Sequence, residues 1–165
     1  MGRCIETINN IIISCMAKYR QFEDLPVWQE AARLYNAVLD LLEEDACPLT
    51  LGFRNQLDRA ALSTSNNIAE GFERASTKEL VSYLGIARGS AGEVRSMIAV
   101  VKNRRRLAEL KEQFVVILEL AKSCTRQITA WITSIENSSV KGKRYRAQAG
   151  IQASLADPRK PRRIE

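Results

Sequence analysis

Histidine is missing from all 165 residues. Its absence removes the side chain that most often acts as a general base near neutral pH and most often ligates zinc. It also rules out the Glu-x-x-His pairs on which di-metal helical bundles depend. Cysteine is sparse and scattered: Cys4, Cys15, Cys47 and Cys124 form no CxxC pair, so no zinc knuckle or thioredoxin-like motif is available. The four read as reduced intracellular thiols, with Cys124 a small core residue on an apolar helical stripe. Eight glycines and 6% aromatics leave little material for a strand-rich fold. No run approaches the ~20 apolar residues that cross a bilayer. Ile11–Ile12–Ile13 is too short for a signal-peptide core, and Glu6 stands where myristoylation prefers Ser or Thr. The expectation is a soluble, cytoplasmic protein with no membrane partner, no metal and no cofactor.

What is present suits helices. The length is that of one domain by the prior of roughly 100–200 residues, and 45% hydrophobic residues supply one core. Ala, Leu, Glu, Arg and Ile dominate, which favours an all-α fold.

The formal charge of +6 has a definite address. From Met16 to Asn137 there are sixteen Lys and Arg against sixteen Asp and Glu, and residues 1–15 hold only Arg3 and Glu6. Residues 138–165 carry Lys141, Lys143, Arg144, Arg146, Arg159, Lys160, Arg162 and Arg163 against Asp157 and Glu165. Rich in Ser, Gly, Pro and charge, this tail buries too little apolar surface to offset the entropy of ordering it, so it is expected to be flexible when free. It can hold phosphate through counterion release without reading sequence, or it can simply keep the protein in solution.

Apolar spacing predicts four helices between a leader (1–24) and the tail, so the bundle occupies 25–137. Asp24 is a candidate cap and Pro26 suits a first turn. Val27, Trp28, Ala31, Leu34, Tyr35, Val38, Leu41 and Leu42 then recur in steps of three and four. The second helix, from about Leu51 to Glu73, has a polar middle, Ser63 to Asn67, which side-chain hydrogen bonds or packing must hold helical. Gly71 marks weakened helix or a close approach. Ser76–Thr77–Lys78–Glu79 is a capping box that opens the third helix. In that helix Gly85, Gly89, Ser90, Ala91 and Gly92 form a small strip, expected to receive another helix closely, because glycine costs up to ~1 kcal/mol against alanine in a helix. The fourth helix is expected from about Leu107 to Asn137. Its apolar surface, widened by Val115, Val116 and Leu120, exceeds one core's need and points to a homo-oligomer.

Short connections favour an antiparallel up-down-up-down bundle. The first and third connections then share an end, which brings Glu43, Glu44 and Asp45 near Lys102, Arg104, Arg105 and Arg106. That basic turn, with Lys111 just beyond it, either binds phosphate or pairs internally.

Three ordered motifs carry a resemblance. Phe22 through Trp28, with Gln29, Ala31 and Ala32, resembles the opening F-x-x-L-x-V-W-x-x-A of bacterial four-helix-bundle proteins encoded in 23S ribosomal RNA intervening sequences. Gln56–Leu57, Arg59–Ala60–Ala61, Ser63, Asn67–Ile68–Ala69–Glu70–Gly71 and Arg74 are similar to that family's central signature. Leu84, Ile86–Ala87, Gly89–Ser90 and Glu93 are similar to its third-helix motif. The resemblance implies a homopentamer of antiparallel bundles with no established enzymatic activity. It extends to accessory variability proteins of diversity-generating retroelements, basic barrels that bind nucleic acid and a reverse transcriptase. One departure is Thr64–Ser65, where the family has Ile-Pro; without that proline the second helix is expected to run straighter. The resemblance also places a common start at Met16, leaving residues 1–15 as a mis-called start or an added leader.

Asn67, Glu70, Arg74, Arg88 and Glu93 read as a structural polar network that fixes helix register. Read instead as an active site, Glu70 and Glu93 would be an acid–base pair, but no nucleophile, metal set or phosphate loop accompanies them. With what the resemblance implies, the expectation is a non-catalytic oligomer that binds RNA or an RNA–DNA hybrid, beside a reverse transcriptase, through Lys102, Arg104, Arg105, Arg106, Lys111, Lys141, Lys143, Arg144 and Arg146. The alternative is a structural or protein-interaction oligomer with no direct nucleic-acid role.

Overall fold

The computed structural model describes residues 19–44 and 48–137. The leader before Tyr19, Asp45 to Cys47 and the tail from Ser138 lie outside the described residues. Four α-helices account for most of what is described: α1 Pro26–Glu43, α2 Leu51–Glu73, α3 Thr77–Val101 and α4 Lys111–Glu136.

Asp24 does not cap α1. Phe22–Asp24 form a 3-10 turn, so Leu25 takes the cap position and the Asp24 carboxylate accepts from Gln21 Nε2 at 3.2 Å. The entry is held instead by the Phe22 ring edge-on to Trp28 at 5.2 Å and by Gln29 donating to the Glu23 carbonyl at 3.0 Å. Helix α2 is capped by Thr50 and runs unbroken through its polar middle. Its hydroxyls and amide turn back on the helix, with Thr64 donating to the Ala60 carbonyl at 3.2 Å, Ser65 to Leu62 at 3.1 Å and Asn67 to Ser63 at 2.7 Å. At the start of α3, Ser76 Oγ accepts from the Glu79 amide at 3.2 Å and donates to the Glu79 carboxylate at 2.6 Å.

Side-chain pairs fix an antiparallel register. Tyr35 donates to Asp58 at 3.1 Å, while Ser63 meets Ser90 at 2.9 Å and Gln56 donates to Glu93 at 2.6 Å. Each helix packs on its neighbour in chain order and α1 closes on α4, the up-down-up-down arrangement. Leu34, Leu41, Leu57, Ile68, Leu84, Ile98, Phe114, Ile117 and Ile128 are fully buried between them, each worth about 1.5–3 kcal/mol of transfer free energy.

Two further expectations need correction. Helix α4 begins at Lys111, because Arg105–Leu110 form a 3-10 segment broken at Leu107 (φ −111°, ψ 16°). The glycine strip receives no helix: a Cβ at Gly85, Gly89 or Gly92 would meet nothing within 4 Å. The strip's other two members do meet neighbours: Ala91 is fully buried, as is Ala87 beside it, and buried Ser90 lies 2.9 Å from Ser63 of α2. Gly71 is the true close approach, where a Cβ would lie 2.8 Å from Tyr83 Cβ and 3.3 Å from Leu80 Cδ1.

Candidate nucleic-acid interface

The connection from α3 to α4 is pulled onto the bundle by two leucines. Leu107 and Leu110, three apart, are buried, and the 3-10 segment that holds them turns Arg104, Arg105, Arg106 and Lys111 to solvent. Arg104 N donates to the Val101 carbonyl and Leu107 N to Arg104, each at 2.9 Å, closing the turn. Lys102, at the C-cap of α3, is exposed as well. Among the described residues none of these cations forms an ion pair with Glu43 or Glu44. Internal pairing, one of the two readings of the turn, is thus not made by these two carboxylates. Asp45, Lys141, Lys143, Arg144 and Arg146 lie outside the described residues.

Sequence reasoning missed the feature that continues this turn. An open groove of about 510 Å³ runs between α3 and α4, edged by Arg95 and Lys102 from one helix and Lys122 and Arg126 from the other, over a floor of Ala99 and Leu118. Lys122 is shared with Glu119 at 2.7 Å, and that cation holds the Glu119 carboxyl below its ordinary pKa. Arg95, Lys102 and Arg126 make no ion pair among the described residues. Thr125, on the groove wall, donates its hydroxyl to the Ala121 carbonyl at 2.9 Å, so the free donors here are cationic. The available signal was a spacing of seven: Arg88, Arg95 and Lys102 recur on one face of a 3.6-residue helix. Lys122 and Arg126 could join them only through the fold.

Asn67, Glu70, Arg74, Arg88 and Glu93 are not joined into one network by the hydrogen bonds and ion pairs of the described residues. Arg74 bonds Glu70 and, at 2.8 Å, the Tyr83 hydroxyl, and its guanidinium sits 5.0 Å from that ring's centre. Hydrogen bonds from Tyr83 and then Arg74 keep the Glu70 carboxyl below its usual pKa. Asn67 donates to the Ser63 carbonyl and hydroxyl, and Ser63 meets Ser90. Glu93 takes the Gln56 amide. Arg88 belongs to none of these groups: it is exposed, without a hydrogen bond or ion pair among the described residues, on the groove side of α3. Gln56 and Glu70 are fourteen residues apart on α2, about 21 Å along its axis, so Glu93 beside Gln56 is far from Glu70. The two carboxylates cannot act on one substrate atom.

Charge divides along the chain. Residues 77–137 hold ten Lys and Arg against six Asp and Glu, whereas 19–74 hold five against ten. The neutral bundle is an acidic hairpin joined to a basic one.

The profile of the 23S rRNA-intervening sequence protein family matches residues 23–130. The chain belongs to that family. The match runs from the turn before α1 into α4 and includes the whole groove. A crystal structure of a protein of unknown function from the S23 ribosomal protein family of Bacteroides thetaiotaomicron shares the fold, with a TM-score of 0.58 at 17% identity, over 64% of this chain and 97% of that one. No protein of curated function matches. Among the described residues no helix is long and apolar enough to cross a membrane, and no three His, Cys, Asp or Glu are grouped to hold a metal.

Proposed function

We propose that this member of the family is a non-catalytic, oligomeric nucleic-acid-binding accessory protein that takes RNA or an RNA–DNA hybrid by its phosphates. The observation that carries the reading is the concentration of exposed, unpaired cations (Lys102, Arg104, Arg105, Arg106, Arg95 and Arg126) on one hairpin of a neutral bundle. None of them forms an ion pair among the described residues, although Arg126 lies within electrostatic reach of Glu30 and Glu119, so a polyanion displacing their counterions is the economical partner. Val115 and Val116 are 54% and 51% exposed, an apolar surface suited to association of copies, and a pentameric ring would repeat the basic hairpin five times. The resemblance to retroelement accessory proteins adds a reverse transcriptase as the protein partner.

Affinity for RNA should fall steeply as salt rises, with log K against log [salt] sloping by about −0.9 per phosphate contacted. Equal affinity at low and high salt, or none at low salt, overturns the reading. Deletion of 138–165 should weaken binding further. The exposed valines also favour a second reading, a structural or protein-interaction oligomer. Capture of a protein partner from nuclease-treated extract, with no RNA bound by the purified chain, would select it.

A further inference from the structure

We infer that the α3–α4 groove is a track for the sugar-phosphate backbone of a double-stranded nucleic acid, and that the open glycine strip of α3 beside it is the surface against which the duplex lies. The inference rests on the nucleic-acid reading above and says which form is bound and where. The α3 cations Arg88, Arg95 and Lys102 are seven residues apart, so they mark a line about 21 Å long. Arg126 faces this line from α4. A track of that length spans several successive phosphates of one strand.

Two observations select a duplex over a single strand. No aromatic ring is among the described residues that line the groove, whereas sequence-tolerant binding of single strands depends on bases stacked on aromatic side chains. The wall hydroxyl of Thr125 donates into its own helix, so nothing but charge is offered, which suits a backbone whose bases are already paired. The second observation is the strip itself. Gly85, Gly89 and Gly92 have open space where a Cβ would be, so no contact inside the fold requires glycine there, although each weakens the helix. A broad ligand resting on α3 does require it: side chains at these positions would hold a duplex off the cations.

The test uses the full chain, with a labelled short RNA duplex and either of its single strands, followed by anisotropy over a range of salt. The duplex is expected to bind more tightly than the single strand. R95A/R126A is expected to bind the duplex about thirtyfold more weakly near physiological salt, with a slope shallower by about 1.8, if each arginine releases one counterion. G89Q/G92Q is expected to weaken duplex binding while raising the melting temperature, a combination that a merely structural role would not produce. Equal affinity for duplex and single strand overturns the inference, as does an R95A/R126A protein that binds like the wild type. If R104A/R105A/R106A abolishes binding while R95A/R126A does not, the site is the turn: the nucleic-acid reading stands and this inference falls. Polyglutamate competing as well as duplex would assign the groove to an acidic polypeptide and overturn it. No binding of either RNA by the wild type at low salt removes both.

Discussion

Helix α3 presents two flanks that use the same residue types for opposite ends. On its α2 flank the charges are satisfied within the fold: Glu93 takes the Gln56 amide, Arg74 reaches across to the Tyr83 hydroxyl, and Gly71 of α2 is closed in by Tyr83 and Leu80. Away from α2, Arg88 and Arg95 are unpaired among the described residues, and Gly89 and Gly92 face open space. A glycine or an arginine in this chain therefore means little until its flank is known. One flank sets the register of the bundle, and the other is left for something outside it.

The sharpest test of the first flank is Gly71→Ala. A new Cβ 2.8 Å from Tyr83 Cβ cannot be accommodated by swinging a flexible side-chain end, because a Cβ moves only with its backbone. The cost of overpacking, typically about 1–3 kcal/mol, should exceed the helix-propensity gain of alanine. The melting temperature should drop by about 4 °C for each kcal/mol, measured by circular dichroism. A protein that melts no lower than wild type would show that α2 and α3 can part without loss, erasing the contrast.

The second flank should answer with the opposite sign. Gly89→Ala meets nothing within 4 Å and should stabilise the fold by about 0.5–1 kcal/mol. A thermal melt that moves downward would mean that the strip does touch something within the protein or its assembly. Measured together, these two substitutions separate the flanks without any ligand.

Much of this was legible along the chain. Leu51 to Glu73 is helical where apolar spacing places it, and the Ser76–Glu79 motif opens α3. The three family motifs carried the fold. What failed was anything that depended on which way a residue faces. Ser90 and Ala91 share the small strip with Gly85, Gly89 and Gly92, and composition cannot say that Ser90 and Ala91 meet neighbouring helices while the glycines face open space. Asp24 has the chemistry of a cap, but Trp28 draws Phe22 onto α1 and the turn that results puts Leu25 at the cap. Leu107 and Leu110 have helical spacing, which also serves a 3-10 segment with three residues per turn. The groove needed the fold most of all: Lys122 and Arg126 are solitary cations in sequence, and only antiparallel packing of α4 on α3 sets them opposite Arg95 and Lys102.

Arg126 links the groove to the interior, and this permits a subtler probe of the division. Burial by itself would raise the pKa of Glu30 on α1. Hydrogen bonds from Ser123 and Arg33, with the charges of Arg33 and Arg126, outweigh burial and leave it below the ordinary carboxylate value. A carboxyl lowered in the folded state stabilises the fold fully above its unfolded pKa, and that stabilisation is lost as pH falls through the folded value. Glu30→Gln should therefore flatten part of the decline in melting temperature between about pH 5 and pH 3. Arg126→Ala should make that decline slightly smaller and end at slightly higher pH, because the folded value rises while the unfolded value that sets the onset is unchanged, and its charge is the smallest of the named causes. Identical acid limbs in wild type and Glu30→Gln would remove Glu30 as a contributor and leave Arg126 tied to the groove alone.

The smallest effect is expected at Cys124, which faces the interior from the same helix that edges the groove. Burial, followed by the nearby Glu30 charge, pushes its thiol up to about 12. At pH 8 roughly one molecule in ten thousand would carry the reactive thiolate, and a buried thiol is also shielded from reagent. Glu30→Gln takes away the lesser cause and leaves burial, so a thiol-specific reagent should label Cys124 no faster in that variant unless the fold is weakened. Labelling should instead follow unfolding, accelerating in Gly71→Ala and slowing in Gly89→Ala. If it is fast in the native protein and indifferent to both glycine substitutions, the core behind the groove opens locally. The rigid floor that a phosphate track requires would then be absent.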